Sequence, residues 1–156
     1  MPTRPIPVPS RETAPFWKGL LEGELRLPCC AACRRFHYPP PPRCPQCLDS
    51  ALVWTRLSGK AKLSSWTTVH IDLCPGIAPP FVIGEVELAE QAGLVMVALL
   101  VDAAPDELRP GLPLACAFRQ EDAGPDIAVA YPEFHIDRGR RGFPAEPPSV
   151  KSLHQE

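Results

Sequence analysis

The sequence predicts a mainly β protein with a short N-terminal helix, a cysteine-rich ribbon and a small five-stranded barrel. Proline makes up 22 of the 156 residues, and it interrupts helices because it lacks a backbone N–H and clashes with the preceding turn. Two C-x-x-C pairs lie close together in the first third of the chain, and five short runs of β-forming residues follow them. A helical bundle is thereby excluded.

These features divide the chain into four predicted parts. Residues 1–24 form a Pro-rich extended arm and the short helix, and residues 25–58 form the ribbon. Residues 59–135 form the barrel. Residues 136–156 contain few apolar side chains and are predicted to be a flexible tail.

The helix is predicted over residues 13–23. Thr13 can cap it, Pro15 suits its first turn, and Gly23 suits a left-handed exit. Its large apolar side chains repeat at i, i+4 and form one face, which consists of Phe16, Trp17, Leu20 and Leu21. That face either packs on its own domain or contacts a partner, and the sequence leaves both readings open.

Five strands are predicted after the ribbon, at residues 60–70, 81–88, 93–101, 112–119 and 127–131. Gly and Pro pairs separate them, as turns require. Gly84, in the middle of the second strand, indicates a bulge or a barrel corner. Five short strands are the right number for a small closed barrel, and a barrel of the OB type is five-stranded and partly open. A small sandwich is the competing architecture.

The strongest chemical signal is Cys30-x-x-Cys33, followed after ten residues by Cys44-x-x-Cys47. Each pair can present two thiolates to one ion from the same side, and two such knuckles complete a tetrahedral four-sulfur site. The spacer contains four consecutive prolines, residues 39–42, which allow a chain reversal but not a helix. We therefore predict one structural zinc per chain, with iron as the competing ion.

Four other side chains are candidate ligands. Cys29 is adjacent to Cys30 and can replace it, although the symmetric spacing favours Cys30. His37 and Cys74 are spare candidates, as is Cys116. Because Cys116 lies in an apolar strand, we interpret it as a small buried side chain.

Catalytic motifs are absent from the sequence. It contains no G-x-S-x-G, no H-E-x-x-H and no Gly-rich phosphate loop. A dyad of Cys74 and His70 would need a tight bend, because four residues of a strand span about 13 Å. A four-thiolate site leaves no open position for a substrate. These observations favour a non-catalytic role, with a hydrolase that uses Cys74 or His70 as the weaker alternative.

Composition and charge argue against membranes and nucleic acids as partners. The longest apolar run, residues 94–101, is far shorter than the ~20 residues that span a bilayer. The N-terminal residues lack the continuous apolar segment of a secretory signal, so a cytoplasmic location is expected. Residues 61–135 carry 3 basic and 11 acidic side chains, a net charge of −8. This negative charge disfavours binding to the phosphate backbone of a nucleic acid.

The whole arrangement resembles the DUF35 family, small OB-fold proteins with a rubredoxin-like zinc ribbon. PFWKGLLEGEL resembles the family's N-terminal helix, CAACRRFHYPPPPRCPQC its ribbon, and LVWTRLSGKAKLSSWTTVH the segment that leads into its barrel. Pro80-Phe81 before an apolar strand and the closing YPEF of residues 131–134 also fit. The turn at residues 89–93 is longer and less Gly-rich than is usual in the family.

The resemblance implies a non-catalytic accessory subunit of a thiolase-like or hydratase-like acyl-CoA enzyme complex. It implies a hetero-oligomer with a thiolase-like enzyme, with acyl-CoA as a candidate ligand at the interface. It carries over the four metal cysteines and no catalytic residue. The expected contacts with the partner or CoA are Phe16, Trp17, Leu20, Leu21, Arg34, Arg35 and Arg43. A stand-alone module that binds acyl-CoA or single-stranded nucleic acid is the alternative.

Overall fold

The N-terminal helix is present in the computed structural model, which describes residues 4–124 and 127–139. This helix, α1, spans Ala14–Leu21, and the chain leaves it through Gly23 at a φ of 73°. The short helix predicted from the sequence is confirmed. No helix among the described residues has both the length and the hydropathy that crossing a membrane requires.

Thr13 precedes α1 as predicted but does not cap it with its side chain. Its hydroxyl instead accepts a hydrogen bond from the N–H of Ser10, at 2.9 Å. A cap side chain normally accepts a hydrogen bond from the N–H of the second or third helical residue. Pro15 is the second helical residue and has no N–H. The N–H of the third, Phe16, donates to the Thr13 carbonyl at 3.0 Å.

Two short strands frame the cysteine-rich ribbon. Strand β1 spans Arg26–Cys30, and strand β2 spans Leu52–Arg56. They pair antiparallel, with Cys30 opposite Leu52. The ribbon loops therefore leave from and return to one end of this two-stranded sheet.

The remaining strands form the barrel, with a turn of 3₁₀ helix at Pro105–Glu107 before the fourth of them. They are β3 Lys60–Val69, β4 Phe81–Leu88, β5 Val95–Leu100, β6 Pro113–Gly124 and β7 Ile127–Ile136.

The barrel is closed, with the strand order β3-β4-β5-β7-β6. Strand β5 pairs with β7 in parallel, with Leu100 beside Phe134, and all other pairs are antiparallel. Pairing of β3 with β6, with Lys60 opposite Ala115, completes the closure. The structure thus confirms a five-stranded barrel and excludes the sandwich.

The last two strands are longer than the predicted segments 112–119 and 127–131. They form a long hairpin that ends at Ile136, the first residue of the predicted tail. Pro132 and several acidic residues concealed this extension, because both are depleted in strands. The rest of the predicted tail, from residue 140 onwards, lies outside the described residues.

One continuous core fills the barrel and extends beneath the helix. Its most deeply buried side chains include Leu63, Val86, Met96, Leu114 and Phe134.

Gly84 makes room in this core without forming a bulge. A β-carbon at this position would lie 2.9 Å from Cδ1 of Leu100, so the missing side chain lets the neighbouring strand pack closely. The register shift lies instead on the facing strand β3, between Leu63 and Ser65.

The apolar face of α1 packs largely on its own chain. Phe16 is 4% exposed and Leu20 is 0% exposed, whereas Leu21 is 38% exposed and Trp17 is half-buried. The Phe16 ring contacts those of Trp17 and Tyr38, at centroid distances of 5.1 and 5.9 Å. Phe16 and Leu20 are therefore core residues, which differs from the expectation that they contact a partner. Burying them completes the core at this end of the barrel.

The turn at residues 89–93 fastens the ribbon to the barrel. The Gln91 side chain accepts a hydrogen bond from the Phe36 N–H at 2.9 Å and donates one to the Phe36 carbonyl at 3.2 Å. The neighbouring Glu90 carboxylate accepts one from the Ser58 N–H at 2.6 Å. The unusual length of this turn thus has a structural use, because its two polar side chains reach both the ribbon and the linker that follows it.

Replacing Gln91 with Ala is expected to loosen the ribbon on the barrel. The change leaves both partly buried polar groups of Phe36 without their partner, which costs about 1–3 kcal/mol. Hydrogen exchange should show faster exchange of the Phe36 amide, with slow barrel amides little changed. Gln46→Ala is the matched control, because Gln46 is exposed and its side chain makes no hydrogen bond in the described structure. Equal exchange at Phe36 in both variants would show that Gln91 does not hold the ribbon.

Candidate metal centre

The two C-x-x-C knuckles have the same backbone geometry. They occupy residues 30–35 and 44–49. In each, the residue four positions after the first cysteine donates its N–H to that cysteine's carbonyl at 2.9 Å. The first cysteine's own N–H donates to the carbonyl five positions later, also at 2.9 Å. The repeated hydrogen bonds turn both thiols of a knuckle towards one point.

Each knuckle places a residue other than glycine in the left-handed region. Arg34 has a φ of 61° and Leu48 a φ of 64°, each directly after the second cysteine of its pair. A side chain in this conformation costs about 1–2 kcal/mol, which glycine would avoid. Both side chains are exposed, so packing inside this chain does not compensate for the strain.

The four predicted cysteine sulfurs form one cluster. The sulfurs of Cys30, Cys33, Cys44 and Cys47 all lie within 4.8 Å of one another. The Cys30–Cys47 and Cys33–Cys44 sulfur pairs are each 3.5 Å apart. Tetrahedral zinc with Zn–S bonds of 2.3 Å would place its sulfurs about 3.8 Å apart, close to these values. The cluster fits one structural zinc, as predicted, and zinc held there would cross-link the knuckles.

Cys29 lies outside the cluster. Successive side chains of a strand point to opposite faces, so Cys29 points away from the side to which Cys30 contributes its sulfur. The Cys29 sulfur instead lies 3.8 Å from the Cys30 carbonyl oxygen. The structure therefore assigns Cys30 to the site.

The surroundings of Cys44 favour its thiolate. Burial opposes ionisation, but the backbone N–H groups of Cys47 and Gln46 and the neighbouring thiols outweigh it and lower the pKa of Cys44 to about 6. His37, considered above as a spare ligand, places Nε2 3.3 Å from the Cys44 sulfur. With a proton on Nε2, His37 donates to that sulfur and offsets the negative charge of a four-thiolate site.

The other sulfur and histidine candidates are separate from this centre. Cys116 is buried in the barrel, and burial raises its pKa to about 12, so it is the small core side chain that the sequence predicted. Cys74 lies in the loop between β3 and β4, with its sulfur 3.8 Å from the Pro75 carbonyl. Within the described chain, no hydrogen bond joins Cys74 to the exposed His70.

A cleft of about 390 Å³ lies between the ribbon and the start of β5. Arg35, His37 and Gln91 supply polar groups to its wall, and Tyr38 and Val95 supply apolar surface. Sequence reasoning missed this cleft, because it exists only where two separately predicted parts meet. The single local signal was the unusual turn that carries Gln91.

The three arginines on the ribbon loops face solvent. Arg34 and Arg35 are the last two residues of the first knuckle, and Arg43 directly precedes the second. None of the three forms an ion pair within the described part of the chain. Their guanidinium groups can therefore pair with a carboxylate or phosphate from another molecule.

Two family models together match most of the chain. The rubredoxin-like zinc ribbon domain of ChsH2 matches residues 17–53, and the C-terminal OB-fold domain of ChsH2 matches residues 54–119. The boundary between the two models falls within β2.

Two curated relatives are similar over much of this chain. A probable enoyl-CoA hydratase alpha subunit of Thermomonospora curvata is 30% identical over 129 residues, which is 83% of this chain. The 3-oxo-4,17-pregnadiene-20-carboxyl-CoA hydratase alpha subunit of Mycobacterium tuberculosis is 34% identical over 112 residues, or 72% of this chain. The matches span only 40% and 35% of those relatives, so the chain corresponds to less than half of each.

Two solved structures share the fold. A chain of the Ltp2-ChsH2(DUF35) aldolase superposes with a TM-score of 0.71 at 28% identity, covering 84% of this chain and 98% of that one. A DUF35 protein of unknown function from Sulfolobus solfataricus has a TM-score of 0.56 at 15% identity, covering 82% and 87%. With the paired family models and the four-cysteine centre, these matches show that the chain belongs to the DUF35 family and has the zinc ribbon and OB-fold barrel of the ChsH2 type.

Proposed function

We propose that the chain is a non-catalytic accessory subunit of an acyl-CoA enzyme complex and that its partner is a thiolase-like enzyme. The observation that carries this proposal is the match to a chain of the Ltp2-ChsH2(DUF35) aldolase, because it covers 98% of that chain. A protein that shares the whole of an assembly component's fold is a candidate for the same kind of assembly.

A hydratase-like partner is the second candidate. It is favoured by the names of the two curated relatives, both of which are hydratase alpha subunits. Those proteins are more than twice as long as the segment they share with this chain. Their own activity therefore does not transfer to it directly.

The chemistry of the cysteines supports a non-catalytic role. A zinc ion held by four thiolates has no open coordination position for a substrate. The Cys116 thiol is also a poor nucleophile, because it is buried and its pKa is raised to about 12. We therefore assign a structural role to the four cluster cysteines and to Cys116.

The exposed end of α1 and the knuckle loops are the proposed interface. Leu21 is an exposed apolar side chain on α1, beside the half-buried Trp17. Arg34 and Leu48 are exposed, and both have a strained, left-handed backbone conformation. Strained positions of this kind cluster at functional sites. We place the partner contact on these residues together with Arg35 and Arg43.

Acyl-CoA is a candidate ligand at the same interface. Arg35 stands at the wall of the cleft between ribbon and barrel, so its guanidinium can meet a phosphate that enters from the partner side. Arg34 and Arg43 add positive charge on the neighbouring loops. The same groups can alternatively bind carboxylates of the partner.

Co-expression of the chain with a thiolase-like enzyme tests the proposal. The wild type should co-purify with the partner, and Arg34→Ala/Arg35→Ala and Leu21→Ala should each weaken the complex at least about tenfold, or ~1.4 kcal/mol. Dissociation constants from light scattering or surface plasmon resonance provide the measurement.

The control variant removes the same charge elsewhere. Lys62→Ala/Arg109→Ala alters two exposed cations on the barrel and should leave the affinity unchanged. A wild-type chain that stays monomeric beside an active thiolase-like enzyme, but binds a hydratase-like one, would favour the second candidate. Turnover of acyl-CoA by the purified chain alone would refute the non-catalytic role.

A further inference from the structure

A second polar site lies on the hairpin of β6 and β7, away from the cysteines. It consists of Glu121, Tyr131 and Glu133, which we call the guanidinium slot. Arg4 of the N-terminal arm occupies it, with Nη1 2.7 Å from Glu133 Oε1 and Nε 3.2 Å from Glu121 Oε1. The Arg4 guanidinium also lies over the Tyr131 ring, 5.4 Å from its centroid.

The slot is built for a cation. The Glu133 side chain is only 7% exposed, so without a positive partner it would be a buried charge next to a second carboxylate. A flat guanidinium meets two carboxylates at different nitrogens and also stacks on an aromatic ring, which an ammonium group cannot do as well. The three contacts together therefore select arginine.

The slot also recognises the backbone beside the arginine. The Tyr131 hydroxyl donates a hydrogen bond to the Pro5 carbonyl at 2.9 Å. The arm alternates proline with other residues from Arg4 to Pro9, and this pattern favours an extended polyproline conformation with little entropy left to lose. Binding of a Pro-rich extended segment against aromatic side chains is a recurring mode of peptide recognition.

Arg4 provides the charged contacts of the arm with the barrel. Val8 is 90% exposed and buries little surface, whereas Ile6 is 39% exposed and adds one partial apolar contact. Within the described structure, neither Arg4 Nε nor Glu133 Oε1 has a well-aligned hydrogen bond, and the contact therefore acts mainly through charge. No residue of the arm belongs to the described hydrophobic core, so the arm can leave the slot without disturbing that core.

We propose that the guanidinium slot is a recognition site for arginine in an extended Pro-rich segment, and that Arg4 is its tethered, exchangeable occupant. The same segment from another molecule can take the slot once Arg4 leaves. The tether gives Arg4 the advantage of a high effective concentration, so the slot is closed to a weak competitor in the free chain. This inference is independent of the proposed function.

Peptide binding to the full-length Arg4→Ala chain tests the proposal. The probe is a synthetic peptide with the sequence of residues 2–10, and the readout is the change in amide shifts of the ¹⁵N-labelled chain. The peptide should shift amides around Tyr131 and Glu133, and it should bind the wild type about tenfold more weakly, because Arg4 competes there.

A second peptide isolates the charge. It carries citrulline, the neutral isostere of arginine, and should bind the Arg4→Ala chain about tenfold more weakly than the arginine peptide does. This comparison needs no second change to the protein, so it remains decisive if Glu133→Gln fails to fold. Equal binding of the two peptides, equal binding to wild type and variant, shifts confined to another surface, or no binding would each overturn the proposal.

Discussion

Replacing Cys30 with Ser is expected to abolish tight zinc binding and to unfold the ribbon. Cys30 is fully buried at the end of β1, and its sulfur belongs to the four-thiol cluster. A structural zinc contributes on the order of 10 kcal/mol to folding, and a serine hydroxyl does not replace a thiolate. The zinc content of freshly purified protein and the dispersion of ribbon amide signals measure the effect, and the barrel signals should largely persist.

The adjacent cysteine provides a matched control. Cys29→Ser makes the same chemical change one position earlier, but the Cys29 sulfur faces away from the cluster. It should retain one zinc per chain and an intact ribbon. Retention of a full equivalent by Cys30→Ser, with loss in the double variant, would show that Cys29 substitutes for Cys30 and that the assignment is wrong.

Leu20→Ala is expected to lower the free energy of unfolding by about 2–5 kcal/mol. The Leu20 side chain is 0% exposed and fills the core between α1 and the barrel, so its removal leaves a cavity there. Chemical denaturation monitored by circular dichroism gives the value directly. In the same variant, the backbone amides of α1 should exchange hydrogen faster than those of the barrel strands.

Leu21→Ala is the control on the next residue of the same helix. Leu21 is 38% exposed, so its truncation should cost under about 1 kcal/mol, while it weakens the complex with the partner. Equal losses of stability in the two variants would contradict the packing of α1 described above. A stable Leu21→Ala chain with full partner affinity would leave the packing intact and move the interface elsewhere.

The metal centre was predictable because its chemistry is local in sequence. Two thiols separated by two residues already face the same way, and the spacing of the two pairs is sufficient to bring Cys30 and Cys44 together. The role of His37 was not predictable in the same way. Its distance to the Cys44 sulfur depends on how the proline run folds back, which no residue pattern specifies.

The barrel was predicted best where burial alternates along a strand. Strand β4 matches its prediction because its buried residues recur at every second position from Val82 to Leu88. The extension of β7 was missed, since Pro132 normally ends a strand. Pro132 is tolerated because β5 pairs with β7 only at Glu133 and Phe134, so Pro132 has a neighbouring strand on one side alone.

The helix shows where a sequence pattern leaves two answers open. An apolar face with i, i+4 spacing looks the same whether its partner is the same chain or another one. Strands far away in sequence decide the question, because Phe16 and Leu20 join a core that includes Phe134. Propensity and spacing carry no information about such distant contacts.

The packing of α1 on the last hairpin also sets an order of events during synthesis. The two ribbon strands pair within residues 26–56, so the zinc site can form before most of the barrel has been synthesised. The helix must wait, because it docks on β6 and β7, where the Gln120 side chain donates to the Leu21 carbonyl. Until the final strand of the barrel emerges, β1 and Tyr38 cover only part of its apolar face, and in that interval chaperones or aggregation can capture the rest. The helix is translated before every strand of the barrel, and its burial is completed only with the last of them.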